Sequence, residues 1–449
     1  MATLPKNSNL TGNTVKILNA IRNQASANYK DYIPAIQDAS QIKEIGAILM
    51  EPAHSALQNE FLTALMNRIG LTIITSKSYQ NPLSMFKKGM LEFGESIEEI
   101  FVNIANAYTF DPEDAQTTLF KRYLPDVRSS FHVMNFQKFY PVTVSQQQLR
   151  QAFLSADGVT DLISSITESL YSGMNQDEFL VMKYVLAKRI LNGKTYPVTI
   201  DTSDAKSQLK TIRQMSNDIT FLSNKYNPTA VYNHTEKDNQ YIIINSKYDA
   251  EYDVDALAYA FNMSKVDIDA HKVLIDSFGA LDTVRLNALL EDSPNFEPLT
   301  DDELKALDEI PAVLVDDKFF MVYDNLLEFK ETENGKGLYW NYFLHSWKTF
   351  STSPFSNAIT FVPDVPTVTA VTLDKTTLSL GVNAYATLTP TVNTTGMASK
   401  SVVYDSSDTS VAQVDIYGNI KGLKAGTTTI TVTSVYDSSK SATCKVTVA

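Results

Sequence analysis

The sequence has one cysteine, Cys444, and no uninterrupted apolar run of the roughly eighteen residues that a membrane helix needs. A disulfide within one chain is therefore excluded, and no membrane span is predicted. Glycine and proline, sixteen of each in 449 residues, are too few for a collagen-like or proline-rich disordered chain. Residues 1–20 lack a charged start followed by an apolar block, so no secretory signal is predicted. We expect a soluble protein of two or three domains that folds in a reducing cytoplasm.

Basic residues are also scarce, because 38 Lys and Arg stand against 51 Asp and Glu and give a net charge of -13. This balance disfavours a protein that holds nucleic acid through a basic surface. Residues 1–160 carry 14 basic and 14 acidic side chains, and residues 366–449 carry 6 Lys and 5 Asp. Residues 161–365 carry 18 basic and 32 acidic side chains, so the acidity lies in the middle of the chain.

Residue clusters typical of enzymes and metal sites are missing. The sequence has no nucleophile elbow, phosphate-binding loop or dinucleotide-binding motif, and its five histidines lack zinc-site spacing. One acidic cluster lacks the glycine and the final glutamate of a calcium loop, and is predicted to be the solvated start of a helix over 253–261. Its members are Asp249, Glu251, Asp253 and Asp255. We therefore expect no catalytic residue, no cofactor and no metal.

The first 365 residues mix helical and strand patterns. Apolar residues at helical spacing predict a helix over 56–69 and a longer one over 160–191. Residues 71–145 predict strands and turns in a long hairpin excursion. Because a two-stranded ribbon cannot bury its own surface, this excursion must lie on another surface. Residues 1–30 predict an extended arm with one or two helical turns, which also needs a partner surface.

Farther along, strands are predicted over 241–245 and 319–323, and a helix over 300–307 whose first turn carries a capping box of Thr300 and Glu303. These alternating elements predict an α+β domain.

The dipeptide Asn334-Gly335 is typical of a type I′ hairpin and leads to an aromatic run over 338–343. An aromatic run can stack on a sugar or a base, but alternating aromatics in a strand favour a core position. Lys87 and Lys88, at the tip of the hairpin excursion, can contact phosphate, another subunit or water, and the residues alone leave these three readings open.

The C-terminal 84 residues form a separate module. They contain no Phe, Trp, Arg or Glu, and 28 of them are Ser or Thr. Thr- and Val-rich strands separated by turn residues predict a small β-sandwich, and two prolines in the segment 363–366 predict a short stiff linker before it. The phase of the last strand places Cys444 inside the sandwich as a small hydrophobe. The predicted strands cover 384–392, 399–404, 427–435 and 442–448.

A set of short blocks over most of 15–362, in a fixed order, resembles the major capsid proteins of small short-tailed phages of the phi-29-like group, which have the Hong Kong 97 capsid fold. No single block is diagnostic, but the ordered set is specific. The blocks are Asn19-Ala20-Ile21-Arg22-Asn23, Arg68-Ile69-Gly70-Leu71, Asn81-Pro82-Leu83, Phe86-Lys87-Lys88-Gly89, Gly94 with Ile97-Glu98-Glu99-Ile100, Ala260-Phe261-Asn262-Met263, Phe320-Met321-Val322-Tyr323-Asp324-Asn325 and Gly337-Leu338-Tyr339-Trp340-Asn341-Tyr342.

The C-terminal module is similar to the bacterial group 2 immunoglobulin-like family. Tyr404 departs from that family, which usually has tryptophan before the Ser-Ser-Asp turn, but another aromatic can fill the same core position. The matching residues are Val371-Thr372-Leu373-Asp374, Ser406-Ser407-Asp408, Val411-Ala412, Gly418, Gly422, Ala425-Gly426-Thr427 and Thr431-Val432-Thr433.

The resemblance implies a domain plan for an α+β capsid fold with an appended all-β sandwich. Within the capsid domain it implies an extended loop across a neighbouring subunit, a peripheral domain with a spine helix, and an axial domain at the centres of pentamers and hexamers. The ranges are 1–55 for the N-terminal arm, 56–362 for the capsid domain, about 75–145 for the loop, about 160–191 for the spine helix, about 195–335 for the axial domain, 336–362 for the return to the peripheral domain, 363–366 for the linker and 367–449 for the immunoglobulin-like domain.

The implied function is a structural protein that self-assembles into a phage head enclosing double-stranded DNA. The implied partners are other copies of the chain, a scaffolding protein, a portal and weakly contacted DNA. The role of residues 367–449 stays open between two readings, a bridge between neighbouring capsomers and an outward contact with host surface glycans. A Lys–Asn crosslink through Lys87 or Lys88 is not expected, because the sequence places neither lysine in a desolvated site beside an acid. The loop residues expected to serve assembly are Phe86, Lys87, Lys88, Gly89, Gly94, Glu98 and Glu99.

Two other classes of protein remain as alternatives from the sequence. A bacterial surface or carbohydrate-binding protein can carry an immunoglobulin-like module, but it needs an export signal and usually has tandem modules. A cytoplasmic enzyme with an accessory module needs a clustered, perturbed acid–base pair.

Overall fold

A computed structural model of the protein describes residues 8–49, 51, 54, 56–58, 60, 61, 64, 79–91, 96–110, 120, 125–153, 158–249, 271–293 and 296–449. Within these ranges no helix is long and apolar enough to cross a membrane. Gly94, the helix predicted over 253–261 and most of the helix predicted over 56–69 lie outside the described residues. Of the acidic cluster, Asp249 is described, and its carboxylate pairs with Lys272 Nζ at 2.5 Å.

The described part of the chain alternates helices and strands, with single 3-10 turns at Ala39–Gln41, Ser84–Phe86 and Lys237–Asn239. The helices are α1 (Ser8–Gln24), α2 (Ala27–Tyr32), α3 (Ile42–Leu49), α4 (Gln146–Ala152), α5 (Gly158–Leu191), α6 (Ala205–Asp218), α7 (Ser246–Asp249), α8 (Thr283–Leu290) and α9 (Asp301–Asp308). The strands of the body are β1 (Lys87–Met90), β2 (Ile97–Val102), β3 (Val127–His132), β4 (Phe136–Ser145), β5 (Tyr196–Thr199), β6 (Gln240–Asn245), β7 (Lys272–Ile275), β8 (Ala312–Asp316), β9 (Phe320–Asn334), β10 (Tyr339–Thr352) and β11 (Ala358–Val362). Those of the C-terminal module are β12 (Thr367–Leu373), β13 (Thr377–Leu380), β14 (Tyr385–Thr387), β15 (Pro390–Thr395), β16 (Val402–Ser406), β17 (Ala412–Val414), β18 (Asn419–Gly422), β19 (Gly426–Ser434) and β20 (Ser441–Val448).

The chain divides into two units, each built from three stretches of sequence. The first unit comprises Met1–Asn81, Gln137–Phe179 and Asp324–Trp347. The second comprises Pro82–Phe136, Leu180–Tyr323 and Lys348–Ala449. Hydrogen-bonded strand orders are β1-β9-β10-β4, β5-β11-β8-β6-β7 and β2-β3 in the body, and β12-β15, β13-β20-β19-β16 and β14-β18-β17 in the module.

The N-terminal segment is helical, which corrects the predicted extended arm. α1 runs for 17 residues, and its apolar residues Leu18 and Ile21 pack into the core of the first unit together with Trp340 and Tyr342 of β10. The arm therefore finds its partner surface within its own chain. The same packing confirms that the aromatic run around Trp340 is core, since burial alternates along the strand.

The chain reversal after α1 is held by two side chains of the first family block. Asn19 Nδ2 donates to the Ile36 carbonyl at 2.7 Å, and Asn19 Oδ1 accepts from the Ile36 amide at 2.8 Å. Arg22 Nε donates to the Ile33 carbonyl at 2.6 Å. Because these bonds satisfy backbone groups outside any helix or sheet, they fix the path that folds α2 and α3 back toward α1.

The long helix predicted over 160–191 is confirmed as α5. It ends with Gly193 in the left-handed conformation, at φ +63°. The Gly193 amide donates to the Ile190 carbonyl, and the Lys194 amide donates to the Arg189 carbonyl, both at 2.9 Å. This pair of bonds is the Schellman motif, which satisfies carbonyls that the last turn leaves open.

The connection between β9 and β10 is longer than a two-residue turn, and the predicted type I′ turn at Asn334-Gly335 is wrong, because neither residue has the positive φ that this turn needs. The connection has four residues, 335–338, and Leu338 takes the left-handed conformation at φ 52°. Asn334 Oδ1 accepts from the Gly337 amide at 2.8 Å, so the side chain of the asparagine closes the turn.

The second unit has a five-stranded mixed sheet at its centre. β8 is buried along its whole length and pairs antiparallel with β6 and β11, while β6–β7 and β11–β5 are parallel. Apolar side chains of β6, β8 and β11 pack against apolar side chains of α6, among them Ile212. The predicted strand over 241–245 and the capping box of Thr300 and Glu303 are both confirmed.

The C-terminal module is an all-β sandwich with its own core, as predicted. Cys444 lies at the centre of that core, opposite Ile430 in the β19–β20 pair, and burial raises the pKa of its thiol. Tyr404 packs partly buried against the same core, where the family usually has tryptophan.

One buried carboxyl makes stability depend on pH. Asp316, at the end of β8, accepts from Thr235 Oγ1 at 2.6 Å, and burial next to Asp317 raises its pKa to about 6. The folded pKa lies above the unfolded one, so this group adds stability as pH falls through about 6 and removes it as pH rises. We expect Asp316→Asn to increase the free energy of unfolding at pH 8 by roughly 1–3 kcal/mol and to leave it nearly unchanged at pH 4. Urea unfolding at both pH values measures this, and an equal effect at pH 4 and pH 8 contradicts it.

Candidate assembly surface

The strands β2 and β3, here called the ribbon, are an antiparallel pair with two different faces. The register pairs Ile97 with His132 and Val102 with Val127. Since side chains alternate across a strand, Glu99 and Phe101 of β2 share one face with Arg128 and His132 of β3. We call this the inner face. Ile100 and Val102 share the outer face with Val127 and Phe131.

The inner face is tied to the second unit by a buried polar network. His132 is 2% exposed, and its ring nitrogens contact Ser351 Oγ at 2.8 Å and Glu99 Oε2 at 3.1 Å. Ser353 Oγ donates to Glu99 Oε1 at 2.6 Å. Arg189 Nη2 donates to the Ser353 carbonyl at 2.8 Å. These contacts fasten the ribbon to the end of β10 and the last turn of α5.

Arg189 gives the network its positive charge. Burial lowers the pKa of its guanidinium to about 10, while the nearby Glu99 carboxylate acts in the opposite direction. Arg189 is therefore charged at neutral pH, and Glu99 is its counter-charge in a region of low dielectric. This explains why a glutamate lies on the inner face of the ribbon.

The rest of the inner face makes further contacts toward the far end of the ribbon. Phe101 stacks on Phe355, with ring centroids 5.5 Å apart and planes at 29°. Arg128 Nη1 donates to the Thr229 carbonyl at 2.5 Å. The ribbon is therefore supported along its length by its own unit.

The outer face is apolar and exposed. Ile100 is 58% exposed, Val102 59%, Val127 52% and Phe131 64%. The chain beyond β2 adds further exposed apolar residues, among them Tyr108 and Phe110. A soluble monomer rarely leaves so many large apolar side chains on one surface, so this face is suited to contact with another protein.

The loop residues predicted to serve assembly differ in their burial and contacts. Phe86 is buried, with its ring about 5 Å from those of Tyr241 and Phe320. Lys88 is exposed, and its Nζ donates to the Asp317 carbonyl at 2.6 Å. Gly89 has φ +116° and nothing within 4 Å of the position a Cβ would take, and Lys87 precedes both on β1.

Glu98 and Glu99, from the same set, lie on opposite faces of the ribbon because side chains alternate along a strand. Glu98 is exposed on the outer face, opposite Phe131, whereas Glu99 belongs to the buried network. Sequence reasoning missed Phe131, His132 and Arg189. Alternation within 127–132 could have indicated Phe131, but nothing in the sequence connects Arg189 with residue 99.

Nothing in the described residues resembles a metal centre, since no group of three or more His, Cys, Asp or Glu side chains is placed to hold an ion. The candidate site is an exposed apolar surface with a hydrogen-bonded backbone beneath it.

The fold is that of a phage capsid protein. The capsid protein of Staphylococcus phage Andhra superposes with a TM-score of 0.51 at 14% identity, over 65% of this chain and 86% of that chain. Residues 18–362 match the Phi29-like phage major capsid protein family, and residues 367–446 match the bacterial Ig-like domain (group 2).

Curated relatives agree with this match. The chain is 35% identical to the major capsid protein of Bacillus phage GA-1 over 354 residues, which is 77% of this chain and 68% of that protein. It is 35% identical to the major capsid protein of Bacillus phage B103 over 364 residues, 79% of this chain and 74% of that protein. The chain belongs to the Phi29-like phage major capsid protein family, and it is a structural protein of the virion shell. The reading as a bacterial surface protein is not favoured.

Removing the counter-charge of Arg189 tests the ribbon anchor. We expect Glu99→Gln to lower the free energy of unfolding by about 2 kcal/mol, because it weakens the contacts of this side chain with His132 and Ser353 and removes the negative charge near the buried Arg189 guanidinium. The matched control is Glu98→Gln on the neighbouring exposed position, which we expect to change stability by less than about 0.5 kcal/mol. Denaturant unfolding of the three proteins measures the difference, and equal effects of the two substitutions would contradict the anchor.

Proposed function

We propose that copies of this chain join into pentamers and hexamers through the outer face of the ribbon, and that these capsomers form the shell around double-stranded DNA. The observation that carries this is the contrast between the two faces of the ribbon. The inner face is held by buried hydrogen bonds, while the outer face presents exposed Ile100, Val102, Val127 and Phe131. Burying such a face against a neighbour is favourable at about 25 cal/mol per Å² of apolar surface.

The domain roles follow from the same proposal. Residues 75–145 form the extended loop, 160–191 the spine helix, 195–335 the axial domain, and 336–362 the return to the peripheral domain. Residues 1–55 form an arm that is folded onto its own chain through Leu18, Ile21 and Tyr29. Of the loop residues, Lys88, Gly89 and Glu98 are exposed and on this proposal contact another copy, while Phe86 and Glu99 support the loop from inside. Lys87 and Gly94 stay part of the loop proposal.

Assembly on this proposal needs no catalytic step. Closure of a shell by many repeated contacts is driven by apolar burial, and each contact can be modest. Neither Lys87 nor Lys88 forms a covalent crosslink on this view. The hydrogen bond from Lys88 Nζ to the Asp317 carbonyl supports this for Lys88, since it holds the amine against a backbone oxygen of its own chain.

The other proposed partners follow from charge and from the module. The excess of acidic residues in 161–365 favours an inner wall that repels packaged DNA, so the DNA is contacted weakly. A scaffolding protein sets the curvature of the shell, and a portal occupies one vertex. The immunoglobulin-like module, 367–449, is a further candidate contact with host surface glycans.

A charge on the outer face should prevent assembly without unfolding the subunit. We expect Phe131→Asp to give soluble, folded subunits that form no shells, because assembly would bury an unpaired carboxylate. The control is Val365→Asp, which adds the same charge at an exposed linker position. Co-expression with a scaffolding protein, followed by sedimentation and negative-stain electron microscopy, gives the answer. Normal shells from Phe131→Asp overturn the proposed role of the outer face.

Boiling mature shells in denaturant tests the absence of crosslinks. We expect a single band at the 49.9 kDa of the monomer on a denaturing gel. A ladder that disappears with Lys87→Arg and Lys88→Arg together would show that the loop lysines form covalent bonds.

A further inference from the structure

The immunoglobulin-like module is docked on the body of its own second unit at the end of α5. The Lys400 amide donates to the Gly193 carbonyl at 2.9 Å, and Ser399 Oγ donates to the same carbonyl at 3.1 Å. A Cβ at residue 193 would lie 2.6 Å from the Ala398 carbonyl oxygen and 2.8 Å from the Lys400 amide nitrogen. The left-handed conformation by itself favours a glycine at position 193. The close approach of the module is a second and separate reason, because any Cβ would collide with the module backbone.

Two further contacts join the module to other parts of the same unit. Tyr436 lies with its ring centroid 5.5 Å from that of Tyr196 on β5, which itself packs edge-on against Tyr226. Tyr417 donates its hydroxyl to the Ser129 carbonyl of the ribbon at 3.1 Å. A cleft of about 440 Å³ separates the ribbon from the module next to this bond.

These contacts reach three different elements: the end of the long helix, an edge strand of the central sheet and one strand of the ribbon. A module that only projected from the shell on its linker would need none of them. The module contact with Ser129 is also the one that bears directly on assembly, because Ser129 lies opposite Ile100, a residue of the outer face.

We propose that the immunoglobulin-like module is a brace within the subunit, which holds the ribbon in the position where its outer face meets a neighbouring copy. This inference rests on the proposed function for its consequence in assembly, but the docking itself is a property of the single subunit. The brace acts through the backbone of β3 and complements the buried network at the other end of that strand.

Hydrogen exchange of the unassembled full-length subunit tests the brace at Gly193. Gly193→Asn keeps a residue that tolerates the left-handed conformation, but its Cβ collides with the module backbone. We expect amides of the ribbon to exchange about tenfold faster in this variant, because the module is displaced. The matched control is Gly396→Asn, also at a left-handed position, φ +61°, where the nearest atom to a Cβ is 3.4 Å away. It should leave ribbon exchange unchanged.

A second pair of variants isolates the hydroxyl contact, and it decides the question if Gly193→Asn does not fold. Tyr417→Phe removes one hydrogen bond and keeps the ring, so ribbon amides near Ser129 should exchange about fivefold faster. Tyr385→Phe, at another exposed tyrosine of the module, should have no effect. Ribbon exchange that is unchanged in both Gly193→Asn and Tyr417→Phe overturns the brace.

The same variants separate this inference from the proposed function. If Phe131→Asp abolishes shells while Gly193→Asn leaves both ribbon exchange and shells normal, the proposed contact through the outer face is supported and the brace is rejected. If ribbon exchange responds as expected but Phe131→Asp still forms shells, the brace stands within the subunit and the proposed contact surface fails.

Discussion

A two-stranded ribbon cannot bury either of its faces by itself, and the structure meets this constraint differently on each face. The inner face is secured by Glu99, His132 and Arg189, which lie far apart in sequence. They form a buried polar network of low dielectric, so removing one polar group leaves the others with fewer compensating interactions. The outer face keeps its apolar residues in water. A rigid support under an exposed apolar face makes that face a defined binding surface, because little conformational entropy remains to be lost when a neighbour covers it.

Local patterns predicted the elements whose cause is local. The helix over 160–191, the capping box of Thr300 and Glu303, and the buried alternation around Trp340 all follow from spacing along a few turns or one strand. The ordered family blocks added the fold class. Asn19 and Arg22 show what such a block contains physically, since their side chains satisfy the backbone of a later chain reversal.

Other features depend on partners that no local pattern reveals. The arm was expected to be extended because its polar residues obscure the helical spacing of Leu18 and Ile21, and the core that stabilises them comes from β10, over 300 residues away. Glu99 looked like a surface residue because Ser353, which holds it, is 254 positions farther along. The type I′ prediction failed because Asn334 closes the turn with its side chain. The first two are tertiary contacts that overrode a local preference, whereas the turn was decided by a side-chain hydrogen bond three residues away.

The burial of the single cysteine has a practical consequence for a particle made of many copies. Cys444 lies in the closed core of the module, and burial raises the pKa of its thiol, so the native shell offers no reactive thiolate from this chain at neutral pH. A cysteine introduced on an exposed strand of the module would then be the one residue that alkylating reagents modify. Every copy would carry the attached group at the same position, so the symmetry of the head would become a regular array of chemical labels.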